Sequence, residues 1–185
     1  MDLKVNLGID KQDKNVKVDL AKDNIHFIIL VGSSGSGKSV FHYHLYKQLA
    51  ENNSPEDLGF ILFDMTRTDF SGWQSPFVID RILDAEPALS EFEQLGKQGN
   101  LTGKKAVFVH IEEMNMLSVS ATRFEDALAN ILKEKRDNNI YVVFSTSRPS
   151  VDVLTSKIRS MVDLKVVFNL TSKIDSEFML GDDSA

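Results

Sequence analysis

One eight-residue segment constrains the fold of this chain more than any other. Residues 32–39 read G-S-S-G-S-G-K-S, which matches the pattern G-x-x-x-x-G-K-[ST]. An apolar run over residues 25–31 comes before the segment, and residues 40–50 read as a helix after it. This strand, loop and helix order is the context in which the pattern forms a phosphate-binding loop. A flexible Gly/Ser linker would share the composition but not these flanks, so the sequence predicts a P-loop.

Each residue type in this loop has a chemical reason. Glycines let the backbone N–H groups turn toward a phosphate that a side chain would keep away. The positive N-terminal end of the following helix points at the same place. Lys38 is expected to reach the β- and γ-phosphates, and the Ser39 hydroxyl is expected to ligate Mg²⁺. The residues predicted to bind ATP in this loop are Gly32, Ser33, Ser34, Gly35, Ser36, Gly37, Lys38 and Ser39.

The composition is that of a single nucleotide-binding domain over residues 1–185, with a lead-in at 1–22 and a core at 23–185. This length allows a sizeable core, and no apolar run approaches the roughly 20 residues that span a bilayer. The charged N-terminus does not resemble a signal peptide. The chain has no cysteine, which excludes disulfides and thiolate metal sites and is compatible with a cytoplasmic location. Its net charge is −6, so any DNA contact is expected to be local or supplied elsewhere.

Apolar runs and helical patterns alternate along the rest of the chain. A small hairpin is predicted from the alternating segments 4–7 and 15–20. Residues 64–76 read as an irregular stretch. Core strands are predicted at 25–31, 59–63, 106–111, 140–144 and 164–170, and helices at 40–50 and at about 87–95, 123–137 and 151–161. Five near-continuous apolar strands separated by helices favour an α/β fold, in which helices cover both faces of a parallel sheet.

Polar residues follow the predicted strands at the edge of the sheet where ligands bind in such folds. Glu112 and Glu113 end the third core strand. The first is expected to hold the water shell of Mg²⁺, and the second to polarise the attacking water. The alternative is a pair of solvated carboxylates that open a loop. Thr146 and Ser147 end the fourth strand, the usual place for a polar sensor of the γ-phosphate. Asp64, after the second strand, is either a supporting carboxylate or the start of a turn.

Three histidines follow the loop, two in a predicted helix and one in a predicted strand. His42 and His44 lie on the helix after the loop, but a spacing of two residues puts them on different faces. A metal site shared by these two is therefore not expected. His110 falls inside a predicted strand and is interpreted as a packed core residue.

Two downstream segments carry a more specific signal than the loop. Residues 145–154 read S-T-S-R-P-S-V-D-V-L, and residues 171–176 read T-S-K-I-D-S. They resemble the A-T-Q-R-P-S-V-D-V-I and S-S-K-I-D-S stretches in the motor of FtsK/SpoIIIE-type DNA translocases. Residues 7–10 and 18–22 are similar to that family's lead-in. The resemblance covers almost the whole chain. It implies a RecA-like ATPase of the chromosome segregation class, which assembles into a hexameric ring and pumps double-stranded DNA.

The resemblance also assigns roles to single residues. Glu112 falls on the family's Walker B Asp and Glu113 on its catalytic Glu. Arg136 falls on an arginine that acts across the subunit interface, whereas its position alone favours a helix-end cation that interacts with the helix dipole. Ser147 stands where the family has a Gln that senses the γ-phosphate. Residues 64–67 read D-M-T-R where the family has D-P-K, so its Lys is absent.

These departures leave three interpretations open. The leading one is a DNA translocase motor, slow because its Walker B acid and its sensor depart from the family pattern. The second is a secretion or conjugation ATPase of the same superfamily. The third is a module that assembles on ATP but barely hydrolyses it. The resemblance also implies that a full-length relative can be membrane-anchored, although this chain contains no membrane segment.

Overall fold

The computed structural model describes residues 1–67, 70, 73–113, 121–133 and 139–181. After an initial pair of strands, helices follow most of the strands along the chain, which confirms the predicted α/β class. The strands are β1 (Lys4–Ile9), β2 (Asn15–Asp19), β3 (Phe27–Val31), β4 (Leu58–Phe63), β5 (Val78–Ile82), β6 (Ala106–Ile111), β7 (Ile140–Thr146) and β8 (Leu164–Val167). The helices are α1 (Lys38–Glu51), α2 (Ala85–Gln98), α3 (Ala121–Lys133), α4 (Ser156–Met161) and α5 (Lys173–Leu180).

The larger sheet is parallel and has the order β5-β4-β6-β7-β3-β8. Its inner strands β3, β4, β6 and β7 are buried along their whole length, whereas the edge strands β5 and β8 are partly exposed. A parallel strand that is covered on both faces needs apolar residues at nearly every position. The near-continuous apolar runs of the sequence are therefore the inner strands.

Helices cover both faces of this sheet. Successive side chains of the inner strands point alternately into two hydrophobic clusters, one on each face. On one face, α2 and α3 pack together with the rings of Phe92 and Phe124 stacked 4.9 Å apart. On the other face, Tyr46 of α1 packs against Phe60 of β4, with ring centroids 4.8 Å apart. This layered arrangement confirms the prediction of a sheet covered on both sides.

The predicted N-terminal hairpin is confirmed. Strands β1 and β2 pair antiparallel, from Lys4 opposite Asp19 to Ile9 opposite Asn15. The hairpin is fastened to α1 by a reciprocal pair of hydrogen bonds. The Asn6 backbone N–H donates to Gln48 Oε1 at 2.8 Å, and Gln48 Nε2 donates to the Asn6 carbonyl at 3.1 Å. Since α1 begins at the end of the P-loop, the hairpin supports the helix that carries the loop.

Four elements differ from their predictions. Strand β5 is an additional strand that the prediction of five core strands lacked. Its sequence V-I-D-R-I mixes apolar and charged residues because an edge strand is covered on fewer sides. Helix α4 begins only at Ser156, where the Thr155 hydroxyl accepts a hydrogen bond from the Ile158 backbone N–H as an N-cap. Helix α5, capped in the same way by Ser172, was not predicted. The last predicted strand ends at Val167, three residues earlier than expected.

Across the part of the chain that the structure describes, every helix is too short or too polar to cross a lipid bilayer.

Candidate nucleotide site

The loop of residues 32–39 joins β3 to α1, as predicted, and needs its glycines for backbone reasons. Gly35 and Gly37 have φ angles of 75° and 105°, which are strongly disfavoured for residues that carry a Cβ atom. Gly37 is also the N-cap residue of α1. Gly32 has ordinary φ, but a Cβ atom there would lie 2.6 Å from both Phe168 Cβ and Ser36 Oγ. The loop therefore follows a path that residues larger than glycine would block at these positions.

The Lys38 ammonium group is hydrogen-bonded to carbonyls of its own loop. Lys38 is buried, and its ammonium group donates hydrogen bonds to the carbonyls of Gly32 at 2.7 Å and Ser33 at 3.2 Å. The Ser36 hydroxyl is also buried, and it has no hydrogen-bond partner within the described segments. A buried hydroxyl without a partner costs free energy unless a ligand satisfies it. A phosphate oxygen beside the loop would provide that partner and a counter-charge for Lys38.

The ends of three neighbouring strands bring the predicted site residues together. Val31 at the end of β3 pairs with Thr146 at the end of β7. The Gly32 backbone N–H then donates to the Thr146 carbonyl at 3.3 Å, which ties the loop to β7. On the other side of β7, Ile111 at the end of β6 pairs with Phe144. The P-loop and the ends of β6 and β7 are therefore adjacent.

Glu113 contacts the predicted sensor position directly. Its carboxylate accepts hydrogen bonds from the Ser147 backbone N–H, with oxygen distances of 3.1 and 3.2 Å. Its φ angle of 51° is uncommon for a residue with a side chain. Thr146 is buried, and its hydroxyl bonds to the backbone of Arg148. The structure thus joins Glu113 to Ser147, whereas the Thr146 side chain supports the local turn.

Glu112 is buried and surrounded by polar side chains. Its Oε2 atom accepts a hydrogen bond from the Ser145 hydroxyl at 2.7 Å and lies 3.1 Å from His110 Nε2. His42 Nδ1 lies 3.8 Å from the same oxygen. The Tyr46 hydroxyl lies 2.6 Å from His110 Nδ1. Burial, and to a lesser degree the negative charge of Glu112, raises the pKa of Tyr46 well above its usual value.

The expectations for the histidines are partly confirmed. His42 is buried and His44 is exposed, so the two do lie on different faces of α1. His110 is a fully buried core residue, as interpreted. The contacts of His42 and His110 with Glu112 were missed, because they depend on how α1 packs against β6 and no local spacing reports that packing.

Asp64 has a partner that was also missed. It directly follows β4, is fully buried, and accepts hydrogen bonds from the guanidinium of Arg81 and from the Thr66 hydroxyl. Arg81 belongs to β5, the strand that was not predicted, so the pairing could not be predicted either. Asp64 therefore anchors the edge strand, and it also starts a turn, because its carbonyl accepts a hydrogen bond from the Arg67 backbone N–H. Arg136 lies outside the described residues, and its role stays a prediction.

The residues fit the two ligands that the sequence predicts. The positive-φ glycines, the Lys38 ammonium and the buried Ser36 hydroxyl suit a phosphate group. The oxygen donors of Ser39, Glu112 and Glu113 belong to the class that Mg²⁺ prefers.

Comparison with known proteins agrees with this geometry. The DNA translocase FtsK of Leptospira interrogans is 24% identical over 216 aligned residues, which cover 100% of this chain and 23% of that protein. Two solved structures share the fold. The pCW3 conjugation coupling protein TcpA, with ATPγS, has a TM-score of 0.80 at 19% identity, over 99% of this chain and 59% of its own. The type VII secretion ATPase EccC of Thermomonospora curvata has a TM-score of 0.79 at 20% identity, over 100% of this chain and 26% of its own.

The chain thus spans less than a quarter of the Leptospira interrogans relative. The profile of the FtsK/SpoIIIE family matches residues 1–95, which contain the hairpin, the P-loop and β4. These residues are just over half of the chain. The chain therefore belongs to the FtsK/SpoIIIE family.

Proposed function

We propose that this chain is the ATP-binding and ATP-hydrolysing motor domain of a double-stranded DNA translocase. The observation that carries the proposal is the adjacency of three parts. The P-loop is tied to β7 by the Gly32–Thr146 hydrogen bond, and Glu113 is tied to the same strand end by its bond to Ser147. Binding, base and sensor positions are thereby assembled at one edge of the sheet in a member of the FtsK/SpoIIIE family.

Each residue has a role in that proposal. Residues 32–39 bind the phosphates, and Lys38 supplies the positive charge. Mg²⁺, when bound, would neutralise charge on the β- and γ-phosphates, and Ser39 and Glu112 are the residues that would hold it. Glu113 orients the attacking water and accepts its proton. Ser147 stands at the position of the γ-phosphate sensor, and Thr146 supports the turn that carries it.

The same residues favour slow turnover. Glu112 is one methylene longer than the aspartate it replaces, and its Oε2 atom is already bound by Ser145. Ser147 is several atoms shorter than the glutamine of the family, and it meets Glu113 through its backbone rather than its side chain. The longer Glu112 side chain changes the position of the carboxylate relative to Mg²⁺, and the shorter Ser147 side chain changes the distance to the γ-phosphate. Both changes are expected to slow hydrolysis.

The proposed assembly is a homo-oligomeric ring, a hexamer by resemblance, in which Arg136 of one subunit completes the site of its neighbour. Residues 1–185 act as one motor domain of a cytoplasmic machine that takes part in chromosome segregation. DNA is the proposed substrate because the relative from Leptospira interrogans is a DNA translocase, and the downstream segment 171–176 resembles that family. A net charge of −6 is the observation that keeps a secretion or conjugation ATPase as the second candidate.

Replacement of Lys38 by Ala tests the nucleotide site. We expect ATP affinity to fall steeply, because the variant removes the buried Lys38 ammonium group. The loop carbonyls hold this positive charge where the phosphates are proposed to bind. Calorimetric titration with Mg-ATP measures the effect. Lys47→Ala is the matched control, since Lys47 lies on the same helix with an exposed side chain. Equal ATP affinity in Lys38→Ala and the parent would show that residues 32–39 are not the phosphate site.

A further inference from the structure

Two histidines and one carboxylate meet where the start of α1 packs against the end of β6. His42 comes from the first turns of α1, His110 from β6 and Glu112 from the residue after β6. The three residues are 1%, 0% and 5% exposed, respectively, so the group is shielded from bulk water. Each residue offers one nitrogen or oxygen atom, and the three atoms lie within 4.8 Å of one another. No role in nucleotide chemistry accounts for the two imidazoles.

Two of the three separations between these atoms are close to those of a tetrahedral metal site, and the third, between the two histidine nitrogens, is no more than 4.8 Å. His110 Nε2 lies 3.1 Å and His42 Nδ1 lies 3.8 Å from Glu112 Oε2. Tetrahedral ligands at metal distances of about 2.0–2.1 Å are about 3.3 Å apart. The distance from His110 Nε2 to Glu112 Oε2 is slightly shorter than this value, and the distance from His42 Nδ1 to the same oxygen is slightly longer. Small side-chain rotations would therefore bring the donors to a common ion.

The donors are also oriented by neighbours, as metal ligands usually are. Tyr46 lies one turn after His42 on α1, and its hydroxyl lies 2.6 Å from His110 Nδ1. A proton on Nδ1 would be donated to that hydroxyl, which leaves the Nε2 lone pair directed at the cluster. The Ser145 hydroxyl donates to Glu112 Oε2 at 2.7 Å and fixes the carboxylate. The Phe70 ring stacks on His42 at 4.9 Å and meets His110 edge-on at 4.9 Å.

We propose that His42, His110 and Glu112 form a binding site for a transition-metal ion of the Zn²⁺ class. Two imidazole nitrogens and one carboxylate oxygen form a donor set found in zinc sites with an open fourth position. Mg²⁺ is disfavoured by this set, because it takes oxygen ligands in octahedral geometry. Among the described residues, His42, His110 and Glu112 form the group in which three histidine or acidic side chains are close enough to bind one metal ion.

The site has a consequence for nucleotide hydrolysis, and this consequence alone rests on the proposed function. Glu112 would serve both ions, since its carboxylate is also the proposed holder of the Mg²⁺ water shell. A Zn²⁺ ion bound to Oε2 would withdraw that carboxylate from the nucleotide site. Micromolar Zn²⁺ is therefore expected to slow ATP hydrolysis in the presence of excess Mg²⁺. His42→Leu would relieve this inhibition, because it removes a zinc ligand that the ATPase reaction does not use.

Binding of Co²⁺ to the metal-free chain tests the site directly, without nucleotide or Mg²⁺. Co²⁺ substitutes for Zn²⁺, and in a tetrahedral site it absorbs visible light far more strongly than the hydrated ion does. We expect this absorption to saturate at one equivalent of Co²⁺ and to be abolished by added Zn²⁺. His42→Leu, which keeps an apolar side chain against Phe70, should weaken binding by about 100-fold or more. Tyr46→Phe should weaken it by about 10-fold, as loss of a supporting hydrogen bond does.

His44→Ala is the matched control, because His44 is an exposed histidine on the same helix. It should bind Co²⁺ as the parent does, and circular dichroism should show that every variant is folded. The proposal is overturned if the parent gives no tetrahedral absorption. It is also overturned if folded His42→Leu binds as tightly as the parent, or if His44→Ala loses binding. A chain that binds Co²⁺ as expected but hydrolyses no ATP would support the metal site and refute the proposed function.

Discussion

Glu113→Gln is expected to bind ATP as tightly as the parent chain, and its rate of ATP hydrolysis is expected to be lower by about 10²-fold or more. The glutamine side chain has the same size, and its Oε1 atom can still accept the hydrogen bond from the Ser147 backbone N–H. The side chain should therefore stay in place while the base is lost. Single-turnover hydrolysis measures the chemical step, and calorimetry measures the binding.

Two further variants make this result specific. Glu51→Gln removes an exposed carboxylate at the end of α1 and should leave the rate unchanged. Glu112→Gln should reduce the rate and also change its dependence on Mg²⁺ concentration, because Glu112 is the proposed holder of the Mg²⁺ water shell. If Glu113→Gln hydrolyses ATP at the parent rate, the assignment of the base to the end of β6 is wrong.

Arg136→Ala is expected to lower the rate by about 10³ or more, since a guanidinium supplied by a neighbouring subunit stabilises the charge that develops on the γ-phosphate. The prediction rests on the family resemblance, because Arg136 lies outside the described residues. Subunit mixing tests the action in trans. Arg136→Ala subunits keep the P-loop, and Lys38→Ala subunits keep the arginine. Some mixed interfaces would join an intact nucleotide site to an intact arginine, so part of the activity should return.

The mixing experiment needs two controls. Light scattering should show that both variants and their mixtures assemble to the same size. Arg136→Lys keeps the charge but loses the planar fork of donors, so it should recover little of the rate. Absence of recovery at every mixing ratio, with assembly intact, would leave Arg136 as a cation at a helix end.

The central part of the fold could be predicted because its signals are local. Inner strands such as β4 and β7 are apolar at nearly every position, and the glycine-rich loop lies directly between a strand and a helix. The edge strand β5 could not be predicted in this way. Its Asp80 and Arg81 are acceptable only because one side of the strand is open, and the Asp64–Arg81 pair was missed with it.

The site shows the same division between local and long-range information. Glu113 and Ser147 each follow an apolar strand, so both could be placed at the binding edge of the sheet. Their mutual hydrogen bond depends on β6 and β7 being neighbours, which the sequence order does not reveal. The contact of His42 with Glu112 likewise requires α1 to lie against β6 on one particular face. Chemistry at strand ends was predictable, whereas contacts between separate elements were not.

The most direct test of the central claim is the steady-state ATPase rate of the chain with and without double-stranded DNA. A motor that moves DNA is predicted to hydrolyse ATP faster when DNA is present. That stimulation should weaken as the salt concentration rises, because phosphate contacts release counterions. Lys38→Ala provides the background rate. A rate above background that DNA does not change at any salt concentration would contradict a DNA motor and favour a secretion or conjugation ATPase. A rate equal to background in both conditions would contradict hydrolysis itself and leave an ATP-dependent assembly module.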